Sequence, residues 1–588
     1  MEKEVLLDAM VCSGTVLNYE RRERCREWAN RVTKCLGGVT FYDDGSAFEA
    51  YSAYRLVNEH GVGRDDRVFF AGAYHNSALQ LLARLGYKKV VGMDYRREVY
   101  DEPYYWKVKY YRGDLLNTHM PPSFFRAYFA FRVFDAISYG LAHRRSLFIR
   151  ARDPLRLTDR FLGEASRILR DGGLLVVTAR YGDTTRLAPG CVIFDEDSVK
   201  NLINVAMERG FDLIEAPDLE PRGWPLSCGN WAHGLVLLAF RLRKREAVEP
   251  LRKVNIVSPM IRQEGISLYA ENLKRRFEEI GVEVNLVRDL RDRDRRFPTI
   301  FEYEKGLHWR KLLWPVLFDR SIYVELHSGF YSLRDLVDMS LEVARTALSK
   351  RWTCCPESRR SRHLLEALRQ LASAIAVDLI SLPFIRLGKN VLVKTTDPDS
   401  RLTCCLRKFY VVPHIAYPDL GVRAKPSGLK ICSFGFAGRH KNFDKVCDLA
   451  IRLGVPCKLV ITVNEAKKWG KELSLEIIAQ LKSKYSKFSN VEIYDGFFAD
   501  DEVLRLLSDC SHIVFAQDDT GGVSGSYRFP VGLGVPIIAT DSFQARDAQV
   551  IRVRSLDELT VEKLMAIKET VNLDDGFEYL LAVLTHRA

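Results

Sequence analysis

The chain has 588 residues, of which 47% are hydrophobic and 28% charged, and its formal net charge is +12. This length predicts about three or four folding units, and the composition excludes a low-complexity or collagen-like chain. The mild positive charge permits contact with phosphates, anionic lipid or nucleic acid but selects none of them. Asp378 and Pro383 interrupt the longest apolar stretch, so no run reaches the roughly 18 residues that a membrane span needs.

The first residues, MEKEVLLDAM, lack the basic and apolar regions of a secretion signal, so we expect a cytoplasmic protein. The 13 cysteines form no C-x-x-C pair, and we predict no metal site. The redox state of the adjacent pairs Cys354-Cys355 and Cys404-Cys405 stays open. Nothing in the sequence matches a nucleic-acid-binding module, so no nucleic-acid partner is expected.

Short apolar strands alternate with amphipathic segments of helix length, which is the pattern of parallel sheets covered by helices. A charged stretch at 241–253 that contains a proline interrupts this pattern and marks the main boundary. We predict an α/β fold class with three Rossmann-like domains. The predicted segments are an N-terminal extension (1–44), a first domain (45–243), a linker (244–253), a second domain (254–412) and a third domain ending in helices (413–588).

The segment from Arg67 to Asp94 is predicted to form a strand, a turn, a helix and a second strand that ends in Asp94. An acidic residue at the carboxyl end of such a strand is well placed to accept hydrogen bonds from a ribose diol. Asp114 follows another short strand, within VKYYRGDLL at 108–116. The alternative for Asp94 is that it merely caps the segment that follows.

Residues 134–144 are predicted to form a buried strand, and residues 159–183 a helix, a turn at Gly172 and Gly173, and a strong strand. Over roughly residues 45–240 this order of elements resembles the class I S-adenosylmethionine-dependent methyltransferases. The helix, the glycine pair and the strand that follows them are the most specific part of the resemblance.

The resemblance implies that S-adenosylmethionine is a cofactor bound by Gly72, Asp94 and Asp114. Gly72 would let the backbone approach the cofactor, Asp94 would bind the ribose, and Asp114 the adenine amino group. The first loop keeps only the first of the family's glycines, and the acidic residue that usually ends the first strand is missing. Tyr74 offers an alternative, since it can fill the cofactor pocket and leave an inert scaffold.

The segment 254–289 is predicted to form a strand, a loop that contains Gly265, an amphipathic helix ended by Gly281, and a second strand. A later strand ends at His327, and small residues follow it. With FGFAGRHKNF at 434–443, this order of elements resembles the retaining, nucleotide-sugar-dependent glycosyltransferases of the GT-B fold, of the group 1, family 4 type.

This second resemblance implies a nucleotide sugar as the donor substrate. Lys441, with Arg439 nearby, would stabilise the departing diphosphate, because cationic side chains and helix N-termini favour growing negative charge. His327 would face the reacting sugar, and Gly265 would lie in the donor-binding loop of the first half. The catalytic candidates are therefore His327 and Lys441.

A glycine- and serine-rich loop, GGVSGS at 521–526, precedes the last predicted strand of this region. The family's two glutamates fall on Gly521 and Phe529, so both carboxylates are missing. Asp518 and Asp519 are the nearest replacements, and a polar turn is their alternative role. The loop is predicted to hold phosphate without the usual grip on sugar and ribose. Its predicted contacts are Gly522, Ser524, Gly525 and Ser526.

These features predict a glycosyltransferase that acts on a glycan or lipid-linked acceptor in surface polysaccharide biosynthesis, fused to a methyltransferase-like domain. Trp309 and Trp314 among basic residues allow a peripheral contact with the inner face of the membrane, and interdomain packing is their alternative. Two other functions stay open: a methyltransferase whose GT-B half only recognises a glycan, and a non-catalytic binding scaffold. The donor sugar, the base, the acceptor and the oligomeric state do not follow from the sequence.

Overall fold

The structure is a computed structural model whose contacts divide the chain into two compact units, Met1–Glu249 with Thr585–Ala588, and Pro250–Leu584. It describes residues 16–17, 19–36, 39–94, 108–134, 154–182, 186–188, 191–217, 219, 234–245, 250–258, 265–303, 319–326, 390–393, 406, 409–415, 420–463, 468–517, 527, 529–541, 550–567 and 575–585. Among these residues, none of the helices combines the length and the apolar character needed to cross a bilayer.

The elements are numbered in chain order. The strands are β1 (Val16–Leu17), β2 (Arg67–Ala71), β3 (Lys89–Asp94), β4 (Val108–Arg112), β5 (Phe125–Phe131), β6 (Leu169–Tyr181), β7 (Arg186–Ala188), β8 (Cys191–Phe194), β9 (Phe211–Glu215), β10 (Gly234–Leu242), β11 (Lys253–Val257), β12 (Glu283–Val287), β13 (Thr299–Tyr303), β14 (Ile322–Leu326), β15 (Val391–Val393), β16 (Tyr410–Val411), β17 (Ile431–Phe436), β18 (Cys457–Thr462), β19 (Val491–Gly496), β20 (His512–Phe515), β21 (Ile537–Thr540) and β22 (Ile551–Val553). The helices are α1 (Tyr19–Leu36), α2 (Asp44–Glu59), α3 (Ser77–Arg84), α4 (Pro154–Ile168), α5 (Glu196–Glu208), α6 (Gly265–Glu279), α7 (Phe443–Leu453), α8 (Lys468–Tyr485), α9 (Asp500–Leu507), α10 (Val561–Ala566) and α11 (Gly576–Thr585).

The first unit is built on a single sheet whose main path runs β1-β10-β6-β5-β2-β3-β4. The strands from β4 to β6 are parallel and follow the order 3-2-1-4-5 of a Rossmann-like sheet. Strand β10 then pairs antiparallel with both β6 and β9. The α/β class predicted for this half is confirmed.

Helices α1 and α2 cover part of this sheet and belong to its core. Helix α2 starts at a capping box, in which Asp43 accepts from the Ser46 amide and Ser46 accepts from the Asp43 amide. On α1, Trp28 is fully buried and meets Tyr51 of α2 edge to face, with 5.4 Å between ring centroids. The segment predicted as an N-terminal extension thus contributes a helix to the core.

The strand that joins β2 to β6 is β5, Phe125–Phe131, which the sequence did not predict, and the strand predicted at 134–144 stays a prediction. A central parallel strand needs apolar side chains on both faces, and β5 supplies them, for example where Phe129 stacks on Phe70 with centroids 5.0 Å apart. Residues 135–144 lie outside the described part of the chain.

The turn predicted at Gly172 and Gly173 lies within β6, which begins at Leu169. The pairing of β5 with β6 shifts between Leu169 and Leu174, so the intervening residues form a bulge. Gly172 has φ +68, and a Cβ on Gly173 would lie 2.7 Å from the Arg170 carbonyl oxygen. Both positions therefore require glycine, although they do not separate the helix from the strand.

The second unit contains two parallel sheets. One runs β12-β11-β13-β14-β15-β16 and the other β19-β18-β17-β20-β21-β22. The second of these has the order 3-2-1-4-5-6 of the Rossmann fold. The prediction of two Rossmann-like sheets in this half is confirmed.

Helix α11, near the end of the chain, packs against α6, which lies about 300 residues earlier in the sequence. Phe577 meets Phe277 with ring centroids 4.9 Å apart, and Arg276 Nη2 lies 2.7 Å from Asp575 Oδ2. At Gly576, the amide donates to the His414 carbonyl at 3.3 Å. A Cβ on Gly576 would lie only 1.8 Å from the Pro413 carbonyl oxygen, so this close approach requires glycine.

We predict that Gly576→Ala displaces α11 and lowers the free energy of unfolding of the second unit by about 3 kcal/mol, because the obstacle is backbone that cannot turn aside. Gly428→Ala is the matched control, since no heavy atom lies within 4 Å of its Cβ position. Chemical denaturation measures both variants. Equal midpoints would show that α11 is not held at this contact.

Candidate functional site

The sheet edge after β17 carries the first candidate site. A 3₁₀ turn at Arg439–Lys441 joins this strand to α7. Gly435, near the end of β17, has φ +141, and a Cβ there would lie 3.7 Å from Lys441 Cε. Lys441 therefore reaches back over the carboxyl end of β17, the edge at which Rossmann-like sheets bind ligands.

Asn442 holds this turn in place. It adopts the left-handed conformation, with φ 47 and ψ 45, which Asn tolerates better than most residues. Its Nδ2 donates to the Ala516 carbonyl at 2.7 Å, just beyond the end of β20. Since β17 and β20 are parallel neighbours, this bond joins the loops that leave the two strands.

The Lys441 ammonium is buried without a counter-ion in the part of the chain that the structure describes. Its side chain is 8% exposed, and neither a carboxylate nor a carbonyl among these residues bonds to it. Burial alone lowers the pKa of Lys441 from its ordinary 10.5 to about 8. A buried cation of this kind favours the arrival of an anion, which would restore the proton.

Gln517 follows Ala516 at the same edge and was not singled out in the sequence. It is 2% exposed, and neither Nε2 nor Oε1 has a hydrogen-bond partner among the described residues. Buried amides are nearly always hydrogen-bonded, so an unsatisfied one is unusual. No sequence signal marks it, because its burial and lack of partners arise only when β17 and β20 come together.

The other residues predicted for this half are placed less completely. Arg439 lies in the same turn as Lys441, and Gly265 begins α6 beside the other sheet. No contact among the described residues brings Gly265 to Lys441. Ser258, the first residue after β11, is fully buried, and its Oγ has no hydrogen-bond partner among the described residues. The predicted residues outside the described part of the chain are His327, Gly522, Ser524, Gly525 and Ser526.

The first unit gathers its predicted cofactor residues at one sheet edge. Gly72, at φ +69, directly follows β2 and donates its amide to the Met93 carbonyl at 2.9 Å. Asp94, which ends β3 and is 4% exposed, accepts from the Tyr74 amide through Oδ2 at 3.2 Å. Its carbonyl accepts from the amide of Gly113, the residue before Asp114, at 2.9 Å.

The side chains in these loops also make local contacts. Asp114 Oδ1 accepts from the Leu116 amide at 2.9 Å, which is an Asx turn. The rings of Tyr74 and His75 are tilted against one another with centroids 3.8 Å apart, and the His75 ring centroid lies 4.5 Å from that of Tyr42. An aromatic cluster therefore lies where the methyltransferase resemblance implies further glycines.

A buried ion-pair network lies at the neighbouring sheet edge, just after β5. No sequence motif predicted it. Arg132 donates to both Glu49 oxygens, at 3.1 and 2.9 Å, and to Asp43 at 2.7 Å. Thr178 Oγ1 donates to Glu49 at 2.7 Å. Burial raises the pKa of Glu49, and attraction to Arg132 only partly offsets this effect. The network satisfies its own members, so we assign it to stability.

Geometry also brings Cys432, Asp509 and Cys510 within metal-binding distance of one another, as the one such group among the described residues. The two cysteines form a disulfide, which engages both sulfurs. Lys430 and Lys458 bond to the Asp509 carboxylate at 2.8 and 2.7 Å. Two cations already occupy the carboxylate, so these residues do not form a set of metal ligands.

No protein family matches the chain, and no curated protein sequence matches it. Among solved structures it is similar to HepE from Anabaena in complex with UDP, which is 11% identical over 57% of this chain and 94% of HepE, with a TM-score of 0.35. It is also similar to geranyl diphosphate C-methyltransferase from Streptomyces coelicolor A3(2), at 12% identity over 41% of this chain and 98% of that enzyme, with a TM-score of 0.26. A SAM-dependent methyltransferase from Methanosarcina mazei is 13% identical over 32% of this chain and 98% of its own, with a TM-score of 0.23. At these scores the likeness says nothing about activity.

The lowered pKa of Lys441 has a defined effect on stability. Below about pH 8 the amine is charged in both the folded and the unfolded chain, and the folded chain bears the full cost of burying it. Between about pH 8 and 10.5 only the unfolded chain holds the proton. The contribution of Lys441 to the free energy of unfolding therefore rises with pH across this window, by about 3 kcal/mol in total.

We predict that competitive acylation of the native chain at a series of pH values, followed by peptide mass spectrometry, gives a titration midpoint near pH 8 for Lys441. The denatured chain serves as the control, and there the midpoint should return to about 10.4, the value for an exposed lysine. A native midpoint above 10 would mean that a counter-ion is already present.

Proposed function

We propose that the second unit is a glycosyltransferase, which moves a sugar from a nucleotide-sugar donor to a hydroxyl group of a glycan or lipid-linked acceptor. The observation that supports this proposal best is the buried Lys441 at the carboxyl edge of a Rossmann-ordered sheet, which no described residue pairs with a carboxylate. The first unit would accompany it as a domain that binds S-adenosylmethionine. We place the reaction in cytoplasmic surface-glycan assembly, with peripheral contact to the membrane where the acceptor resides.

The chemistry of sugar transfer fits a desolvated lysine. As the bond to the anomeric carbon breaks, negative charge accumulates on the departing nucleoside diphosphate. A cation that is fixed in a water-poor site stabilises this charge more strongly than the same cation in water. Because the residues around Lys441 do not neutralise it, the diphosphate would supply its counter-ion.

The start of α7 adds to this attraction. Its N-cap, Asn442, makes no side-chain cap hydrogen bond, and its Nδ2 donates to the Ala516 carbonyl. The first amide groups of a helix and the positive end of its dipole favour an anion. Lys441 immediately precedes this N-terminus, so the charge and the dipole act on the same ligand.

The remaining predicted residues take roles within this proposal. Arg439 would assist Lys441 at the diphosphate, and Gly265 would allow the donor to approach α6. His327 would face the reacting sugar, one residue beyond the end of β14. Gly522, Ser524, Gly525 and Ser526 would hold phosphate through backbone amides and hydroxyls.

A methyltransferase is the second candidate function, and the shared edge of Gly72, Asp94 and Asp114 favours it. A ribose diol would approach Asp94, and Asp114 would lie toward the adenine. If this unit alone is active, the second unit only recognises a glycan. If neither unit binds its ligand, the chain is a scaffold.

We predict that UDP or GDP binds the intact chain with micromolar affinity and that Lys441→Ala weakens this affinity about 10- to 100-fold, the usual effect of a hydrogen bond to a charged group. Calorimetric titration measures it. Lys445→Ala removes the same charge from an exposed position on α7 and should change the affinity less than twofold. An absence of binding, or equal weakening in both variants, would contradict the proposal.

For the first unit, we predict that Asp94→Ala weakens S-adenosylmethionine binding at least tenfold, because the ribose loses a charged acceptor. The same titration measures it, with Asp65→Ala as the control at an exposed aspartate paired with Lys88. Binding that survives in Asp94→Ala would show that Asp94 only holds the loop at Tyr74.

A further inference from the structure

Gln517 carries an unmet hydrogen-bonding requirement at the proposed donor site. Both polar atoms of its side chain are buried, and in the part of the chain that the structure describes neither has a hydrogen-bond partner. A buried amide without partners costs roughly 1 to 3 kcal/mol. A chain that keeps such a group at the ligand edge of a sheet gains from it only when something arrives to bond with it.

A short chain of contacts brings Gln517 to the same edge as Lys441. Lys441 is followed by Asn442, whose side chain bonds to the carbonyl of Ala516, and Gln517 comes next. Two polar side chains, 8% and 2% exposed, thus have no partner among the described residues where the loops after β17 and β20 are joined. One of them is a cation and the other a neutral amide, so they select different parts of a ligand.

The amide also restricts the chemistry of its partner. Its Nε2 donates and its Oε1 accepts, whereas an ionised phosphate can only accept. A phosphate on Gln517 would therefore leave Oε1 buried and unsatisfied. A pair of neighbouring hydroxyl groups meets both requirements, because one hydroxyl can accept from Nε2 while the other donates to Oε1.

The position to which the glycosyltransferase resemblance assigns the family's second glutamate holds no carboxylate. Phe529 stands there, is 9% exposed, and packs against Phe434 with ring centroids 5.4 Å apart. It belongs to the apolar core on that side of the sheet and cannot bind a hydroxyl. In the proposed function, another group therefore has to bind the hydroxyl groups of the sugar and the ribose.

We propose that Gln517 is the specificity residue of this site and binds vicinal hydroxyl groups of the nucleotide-sugar donor, on the ribose or on the transferred sugar. The proposal rests on the proposed glycosyltransferase function. Lys441 would hold the diphosphate, and Gln517 would distinguish a complete donor from a bare phosphate.

The first test needs no ligand. Gln517→Leu keeps the approximate size of the side chain and removes two unsatisfied polar atoms, so it should leave the unfolding midpoint of the intact chain unchanged or raise it. Gln80→Leu is the matched control, because Gln80 is equally buried but accepts from the Thr40 amide at 2.9 Å. That variant should lower the midpoint. Destabilisation by Gln517→Leu would show that Gln517 serves structure and would overturn the proposal.

The second test compares ligands by calorimetry on the wild type, Lys441→Ala and Gln517→Leu. The ligands are pyrophosphate, UDP and UDP-glucose, with GDP and GDP-glucose in parallel. Lys441→Ala should lower the affinity for every one of these ligands that the wild type binds. Gln517→Leu should leave pyrophosphate within twofold and weaken the nucleotide sugars at least tenfold. Weakening of UDP by the same factor would assign the contact to the ribose, and weakening of the nucleotide sugar alone would assign it to the transferred sugar.

The outcomes separate this inference from the function on which it rests. One outcome is that Lys441→Ala binds the ligands more weakly while Gln517→Leu binds every ligand as the wild type does. That result would support the diphosphate site at Lys441 and would show that the role proposed for Gln517 is wrong. Equal loss of pyrophosphate and nucleotide sugar in Gln517→Leu would also overturn it, since the amide would then act on the phosphate. If the wild type binds none of the ligands, the proposed function fails and the inference fails with it.

Discussion

The functional account of the second unit depends on one interaction that the protein leaves incomplete, the electrostatic pairing of Lys441. Burial removes water from its ammonium group, and no described residue supplies a carboxylate in exchange. The surrounding backbone fixes this arrangement, since Gly435 beside Lys441 has φ +141, which L side chains rarely adopt, and Asn442 ties the turn to the end of β20. A cation held in this way is prepared for an anionic ligand before the ligand arrives.

The two units treat the polar groups at their sheet edges differently. In the first unit, Arg132 and Glu49 satisfy one another, and Asp94 bonds to the backbone of the loop beside it. In the second unit, Lys441 and Gln517 are buried, and their side chains have no polar partner among the described residues. Unsatisfied groups lower stability, so their retention is a stronger sign of ligand binding than a complete network, and this contrast is why the second unit carries the main proposal.

The sequence was sufficient for features that depend on local pattern. Apolar strands separated by helix-length segments predicted the parallel sheets, and Lys441 was singled out because the resemblance to the glycosyltransferases places a basic residue at that position. The strand at Phe125–Phe131 was missed, because an aromatic run reads the same whether it is strand or buried helix. Gln517 and Arg132 were missed for a different reason. Their partners, or the absence of partners, arise from residues that are distant in sequence and meet only in the folded chain.

The most direct test of the central claim is the number of protons taken up when UDP binds at pH 8.5, measured by calorimetry in Tris and in HEPPS, whose ionisation enthalpies differ. With a pKa of about 8, most Lys441 side chains are neutral at this pH, and binding of the diphosphate should return the proton. We expect uptake of roughly 0.7 proton per UDP. Tight binding with no proton uptake would mean that Lys441 is not the counter-ion of the diphosphate.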